Sequence, residues 1–417
     1  MLAGLASLAA GPAAQAPAEN PAGPLTLEGA IRVALLQNPD LAAFDWGRRA
    51  AEARQMHAAR RPNPTASVFA EDLGSSALAG LQPQVTIQLG HLVELGGKRA
   101  SRLALAERNL DISTIEYEAA RLDVLTRVGE EFRRVVGQQA ALALAERALA
   151  LAVEVERTVR ERVAAGAVSP IEQTRAGLLV AAAERDLSTV RHALVGGRRR
   201  LAFTWGAGEP RFDRAVGDLA ALPSVPPLEV LDQALAGTPA IARWTAEVER
   251  RQAALAQSRS ARVPDLTLTA GYRRFTTTGA NAAIVGGTVD LPWFSRSRDA
   301  IAAAEADVAR ARAEGEAAHL ALRAALASAH AALLGARDAI TILRTNVLTA
   351  ARGAYEAVRE GYQLGRFGLM EVLDAQRALA SAEREHLDAL LNFHAAAAAI
   401  ERLTGQPLPP VPGAGLD

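Results

Sequence analysis

Hydrophobic positions along the chain fall into two patterns. In the long alanine-rich stretches, leucine recurs at seven-residue spacing, as in Leu103/Leu110 and Leu142/Leu149, with charges between. That is the pattern of a coiled-coil helix with a narrow apolar seam. Lys98 to about Ala165 contains no proline and only two glycines. At 1.5 Å per residue it predicts a helix about 100 Å long. Arg298 to about Leu364 is a second run of the same size. Elsewhere, VTIQLGHLV and TLTAGYRRF combine β-branched and aromatic residues in partial alternation, which predicts strands.

These elements come in the same order twice. Each half opens on a short predicted helix (about 26–37; 228–237), stopped at Asn38-Pro39 or Thr238-Pro239, because the residue before proline avoids the α region. A helix of about 20 residues follows (40–60; 240–262). Strands are expected at about 64–72 and 82–93, then at about 265–275 and 283–292, joined by GSSALAGLQP and TTTGANA. The long helices (98–165; 298–364) are answered by return helices (169–203; 368–403) about half as long. A helix of about 20 residues stacked on one of about 35 nearly matches one long rod.

Four blocks repeat in order at an offset of about 200 residues. LEGAIRVALLQNPDLAA (27–43) resembles LEVLDQALAGTPAIARW (228–244), and RRPNPTASVFAEDL (60–73) resembles SARVPDLTLTAGYR (260–273). VTIQLGHLVELGGKR (85–99) aligns with VGGTVDLPWFSRSR (285–298), and AAGAVSPIEQTR (from 164) with QLGRFGLMEVLDAQR (from 363). The expected organisation is therefore two copies of one unit, 17–204 and 228–404. A Gly- and Pro-rich linker at 205–227 joins them, and 405–417 is a tail.

Composition narrows the class. Half of the residues are hydrophobic, much of that alanine, and 4% are aromatic, which favours long helices over thick globular cores. Lysine plus arginine and aspartate plus glutamate both number 46, and Lys98 is the only lysine, so no basic face marks a nucleic-acid partner. Cysteine is absent, which excludes disulfides and thiol chemistry. Residues 1–16 are small and apolar and end in Ala14-Gln15-Ala16, the A-x-A form that precedes signal-peptidase cleavage. The missing basic n-region makes a truncated signal peptide the expectation; a loose alanine-rich tail is the plain alternative. No run of about 18 apolar residues free of charge is present, so no transmembrane helix is expected.

The strands pose a geometric problem. Four cannot close a transmembrane barrel, for which about eight is the smallest common size. Left open in lipid they would expose unpaired backbone groups. Three chains pooling strands would give about twelve, within the range of such barrels. Phe69, Tyr272, Phe275, Trp293 and Phe294 lie in or beside these strands, where an interfacial aromatic belt would form. A small soluble sheet capping a helical rod satisfies the same pattern.

With these features in place, the chain resembles the TolC family of outer-membrane efflux proteins. The resemblance is carried by LTLEGAIRVALLQNPDL, the Pro-x-Pro entry to the first strand, ELGGKR after the second, and GYQLGRFGLMEVLDAQRAL, in order across residues 25–405. It implies a mainly α fold with a small β part: a long antiparallel α-helical barrel of coiled-coil hairpins, in the periplasm, and a twelve-stranded outer-membrane β-barrel shared by a homotrimer. It also implies a passive exit duct embedded in outer-membrane lipid, with a periplasmic adaptor and an inner-membrane pump as partners. VELGGKR (93–99) is similar to the branch serving pumps of the resistance–nodulation–division type for heavy-metal cations. Many members carry a lipidated N-terminal cysteine; here no lipid anchor is expected.

The candidate functional residues cluster at the helix breaks. Ser169-Pro170-Ile171-Glu172 reads as a capping box, and Gly166, like Gly365 and Gly368 around Arg366-Phe367, suits a turn between helices. The resemblance makes these turns periplasmic tips, with Gly166, Val168, Gly365, Arg366 and Phe367 as adaptor contacts. Glu371 and Asp374 share one helix face. They are either ordinary helix-start carboxylates or, by resemblance, the acids lining a narrow periplasmic aperture. The equivalent Glu172 and Arg175 would add salt links there, including links to Asp374.

No enzyme is expected and no cofactor: seven scattered histidines include no H-E-x-x-H, and three methionines form no soft-metal ladder. The rival classes are a soluble periplasmic coiled-coil adaptor or scaffold, and the same duct carrying drugs or secreted polypeptides.

Overall fold

The computed structural model describes residues 20–73, 83–290 and 297–410. In chain order these form β1 (Gly23–Thr26), α1 (Leu27–Gln37), α2 (Pro39–Ala58), β2 (Thr65–Glu71), β3 (Gln84–Val93), α3 (Lys98–Ala164), α4 (Pro170–Phe203) and β4 (Phe212–Val216). The second half holds α5 (Leu228–Leu235), α6 (Pro239–Ser260), β5 (Leu266–Phe275), β6 (Asn281–Val289) and α7 (Ser297–Ile342). A π-helical turn, Leu343–Val347, carries α7 into α8 (Leu348–Gln363), and α9 (Leu369–Thr404) follows. The expected signal peptide and the end of the tail lie outside the described residues.

The chain divides into two compact units. One, Phe44–Ala119 with Pro239–Ala321, contains a four-stranded antiparallel sheet in the order β2-β3-β5-β6. Its register aligns Val68, Ile87, Tyr272 and Ala283 across the four strands, and likewise Ala66, Leu89, Ala270 and Val285. Because side chains alternate faces along a strand, one face collects these apolar residues. The other collects Ser67, Thr86, Gln88, Thr267, Thr269 and Arg273. Exposure follows the reverse of a soluble sheet. Leu89, Ile87, Val68 and Val285 are exposed, whereas Thr86 is only 2% exposed. Through the middle of the strands, apolar out and polar in with period two is the pattern of a strand whose outer solvent is lipid. His91, Arg274 and Asn281 share the apolar face nearer the strand ends.

The other unit comprises Ala120–Thr238 and the described parts of Met1–Ala43 and Leu322–Asp417. Its core centres on a two-stranded parallel ribbon in which β1 pairs with β4. The segment 205–227 is therefore more than a linker. It supplies fully buried Trp205 and Phe212, whose rings meet edge-on at 6.3 Å, and Phe132, Leu201, Leu235 and Phe393 pack around them. The Arg198 guanidinium lies 5.1 Å from the Phe212 ring centre. Gln139 closes the β4 edge in the manner of a strand: its Nε2 donates to the Ala215 carbonyl at 2.8 Å and its Oε1 accepts from the Ala215 N–H at 2.9 Å. Buried Asn38, ahead of Pro39, donates to the Thr204 carbonyl at 2.8 Å and accepts from the Leu41 N–H at 3.0 Å. These partners satisfy polar groups that would otherwise be costly to bury.

Candidate functional site

Two helical hairpins, α3/α4 and α8/α9, meet at their turns. α3 ends on Gly166 at φ +70°, and the Ala167 N–H donates back to the Arg162 carbonyl at 2.9 Å. α8 ends in the same way on Gly365 at φ +74°, with the Arg366 N–H donating to the Gly361 carbonyl at 2.8 Å. A left-handed glycine after the last helical turn lets the chain reverse while satisfying carbonyls the helix leaves open. The helix α4 then restarts on Ser169, whose Oγ accepts from the Ile171 N–H at 3.4 Å, with Pro170 at the first position. The helix α9 restarts on Gly368 with no side-chain cap.

Behind the turns lies a small core of Val155, Val159, Ala176, Tyr362, Leu369, Val372 and Leu373. Arg162 bridges the hairpins: Nη1 donates to the Tyr362 carbonyl at 2.9 Å, and its guanidinium stands 4.5 Å from the Tyr362 ring centre. The Tyr362 hydroxyl and Glu172 Oε2 are both buried without a hydrogen-bond partner. Burial pushes the Tyr362 phenol up; Arg162 opposes this and the Glu172 carboxylate adds to it. Arg162 and Tyr362 escape a reading of sequence because they meet across 200 residues.

At the turns, Gly166, Gly365, Arg366 and Phe367 are exposed and Val168 is half-buried. The Phe367 ring lies on Gly361, where a Cβ would collide with Cδ2 and Cε2 of the ring. Leu364, Met370 and Ile171 add exposed apolar surface beside it.

The four expected aperture residues do not converge within one chain. Glu371 and Asp374 are exposed on the first turns of α9, and Asp374 pairs with Arg377 at 3.4 Å rather than with Arg175. Such an exposed pair is worth roughly 0–1 kcal/mol. Glu172 is half-buried and turned toward Tyr362. Arg175 instead lines a groove of about 690 Å³ between α3, α4 and α9, together with Arg377 and Arg384.

The expected aromatic belt also separates. Tyr272 stands on the apolar, exposed face of the sheet. Phe69 and Phe275 fall on the polar face, because Phe69 is in register with Thr86 and Phe275 with Gln84. Trp293 and Phe294 lie outside the described residues.

The VELGGKR segment forms a joint where β3 passes into α3. Lys98 pairs with Asp265 at 2.8 Å, and Arg102 pairs with Glu94. Arg99 Nε donates to the Ala59 carbonyl at 2.7 Å, and Arg102 donates to the carbonyls of Ala58 and Arg60 at 3.1 and 3.2 Å. Cations on the carbonyls at and just past the end of a helix, here α2, satisfy open acceptors and suit the helix dipole. The structure thus gives this motif a mechanical role. Among the described residues no group of acidic, histidine or cysteine side chains is arranged to hold a metal ion.

Paired helical hairpin turns, and a sheet that exposes its apolar face, fit a protein that meets lipid through its strands. The chain belongs to the outer membrane efflux protein family, whose model matches residues 30–207 and 230–406. It is 34% identical over 385 residues to the cobalt-zinc-cadmium resistance protein CzcC of Cupriavidus metallidurans, covering 92% of this chain and 91% of that one. It is 30% identical over 284 residues to the nickel-cobalt-cadmium resistance protein NccC of Alcaligenes xylosoxydans, covering 67% and 64%. In fold it is similar to CusC, at a TM-score of 0.80 and 17% identity over 91% of this chain and 92% of that one. The open-state outer membrane channel MtrE of Neisseria gonorrhoeae gives 0.75 and 21%, over 92% and 89%. The chain is accordingly an outer-membrane protein.

Proposed function

We propose that this chain is the exit duct of a tripartite system that exports heavy-metal cations. Three copies pool their β2-β3-β5-β6 sheets into a twelve-stranded barrel, and their helices form a periplasmic tunnel. The tunnel docks an adaptor and, through it, an inner-membrane pump of the resistance–nodulation–division type. The observation that carries this reading is the inverted sheet, with Leu89, Ile87 and Val285 exposed and Thr86 covered. Within one chain β2 and β6 each have a single neighbour, and in lipid their free edges require partners. A soluble adaptor would gain nothing from an exposed apolar sheet face.

The cargo class is supported by likeness to CzcC along nearly the full length of both chains. The two matched segments, 30–207 and 230–406, support reading the chain as two copies of one unit. The stretch Arg298–Gln363 contains an 18-residue window apolar enough to cross a membrane by composition, only 11% buried within one chain. Its apolar positions are mostly alanine, which suits close helix packing against a neighbouring copy. Expressed in a Gram-negative host, the protein should fractionate with the outer membrane and migrate as a trimer that collapses to monomer only on heating in SDS. A soluble periplasmic species would refute the duct.

The hairpin turns serve as adaptor-docking tips through Gly166, Val168, Gly365, Arg366 and Phe367. Behind them, Glu371 and Asp374 of three chains make a ring of carboxylates that attracts cations. Replacing both by alanine should weaken block of single channels by divalent cations added on the tunnel side, by about tenfold for loss of about 1.4 kcal/mol. Unchanged block would remove these acids from the aperture.

A further inference from the structure

The polar face of the sheet carries two charges among its described residues, and they are bonded to each other. On that face β2 offers Thr65, Ser67, Phe69 and Glu71, and β3 offers Gln84, Thr86, Gln88, Gly90 and Leu92. On β5 and β6 it continues through Thr267, Thr269, Gly271, Arg273 and Phe275, then Ala282, Ile284, Gly286 and Thr288. Arg273 on β5 reaches across β3 to β2. Its Nε donates to Thr86 Oγ1 at 2.9 Å, and its Nη2 pairs with Glu71 Oε2 at 3.3 Å. Strands stand about 4.8 Å apart, so the side chain spans two inter-strand gaps, lying over Thr86, which is 2% exposed. Thr86 fixes the guanidinium, and the carboxylate and guanidinium remain 47% and 32% exposed. All three residues sit at the end of the sheet where β2 runs out at Glu71 and β3 begins at Gln84.

We propose that the Glu71–Arg273 pair sets the ionic selectivity of the strand-lined part of the duct by holding it neutral. This rests on the reading that three sheets close into one barrel with the polar face inward. Rings of charged side chains govern which ions a pore admits. Three Arg273 side chains left unpaired would make a positive ring at the barrel's outer end, opposing the exit of cations. Three unpaired Glu71 carboxylates would make a negative ring that retains them. Paired, the two charges cancel, and a cation meets neither barrier nor trap.

The test is the ion permeability ratio of the full-length protein in planar bilayers, read from reversal potentials across a potassium chloride gradient. Salt is kept near 0.1 M, where the Debye length is about 10 Å. Glu71→Gln should shift the K⁺/Cl⁻ ratio toward chloride by about twofold or more, and Arg273→Gln should shift it toward potassium by a similar factor. The exchanged pair, Glu71→Arg with Arg273→Glu, should restore the wild-type ratio, which a merely structural loss of the pair would not produce. Wild-type protein that forms no channels would overturn the barrel reading itself. Channels that form while both single variants keep the wild-type ratio would overturn this proposal alone. Should a single variant fail to assemble, an exchanged pair that conducts with an altered ratio would equally overturn it.

Discussion

Leu89→Arg is expected to abolish assembly in the outer membrane, while Gln88→Arg one residue earlier leaves it near the wild-type level. The two positions adjoin on β3 and differ only in face. Leu89 is 61% exposed and in register with Ala66 and Ala270 on the apolar side. Gln88 shares the opposite side with Ser67 and Gly271. An arginine on the lipid side near the middle of a membrane strand costs about 2–4 kcal/mol, and a trimer bears it three times. On the polar side the same guanidinium stays in water. The readout is the amount of heat-modifiable trimer in outer-membrane fractions. Equal tolerance of the two arginines would mean that lipid does not cover this face.

Trp205→Ala should produce the largest loss of stability in the unit built around the β1–β4 ribbon. Trp205 is fully buried and packs edge-on against Phe212, itself fully buried and covered by Arg198. Emptying such a site removes transfer energy and leaves a cavity, about 3–5 kcal/mol for tryptophan or phenylalanine to alanine. Glu209→Ala, which breaks only the exposed 3.0 Å pair with Arg199, should cost no more than about 1 kcal/mol. Denaturant unfolding of the purified protein compares the two. Equal losses would show that the ribbon does not organise this core.

How far the sequence reveals this molecule depends on how local each feature is. Turn chemistry is written locally: Gly166 and Gly365 adopt left-handed conformations that a side chain would strain, and Asn38-Pro39 separates α1 from α2. The mainly helical class with a small β part was equally legible, since helix and strand periods differ. The ribbon was not, because Gly23–Thr26 finds its partner in Phe212–Val216, far along the chain. A short stretch among glycines and prolines reads as linker until Trp205 and Phe212 are seen to be buried. Nor does alternation alone reveal register. Phe69 and Phe275 look like belt residues, yet pairing with Thr86 and Gln84 puts them on the polar face. At the tips, four charged residues share a motif, but Glu172 turns toward Tyr362 and Asp374 pairs with Arg377. The π-helical turn at Leu343–Val347 had no local signal such as proline.

On the proposed function, the sheet is one third of a membrane barrel with lipid on one face and water on the other. The chain contains no cysteine, so single cysteines placed in turn at Val85, Thr86, Ile87, Gln88 and Leu89 report on each position without background. Probed in intact outer membranes, position 88 should react with a charged, water-soluble maleimide, whereas position 86, covered by Arg273 and 2% exposed, should stay unlabelled. Positions 85, 87 and 89 should react only with a lipophilic one. Uniform labelling by the water-soluble reagent along all five positions would mean that lipid covers neither face of the sheet.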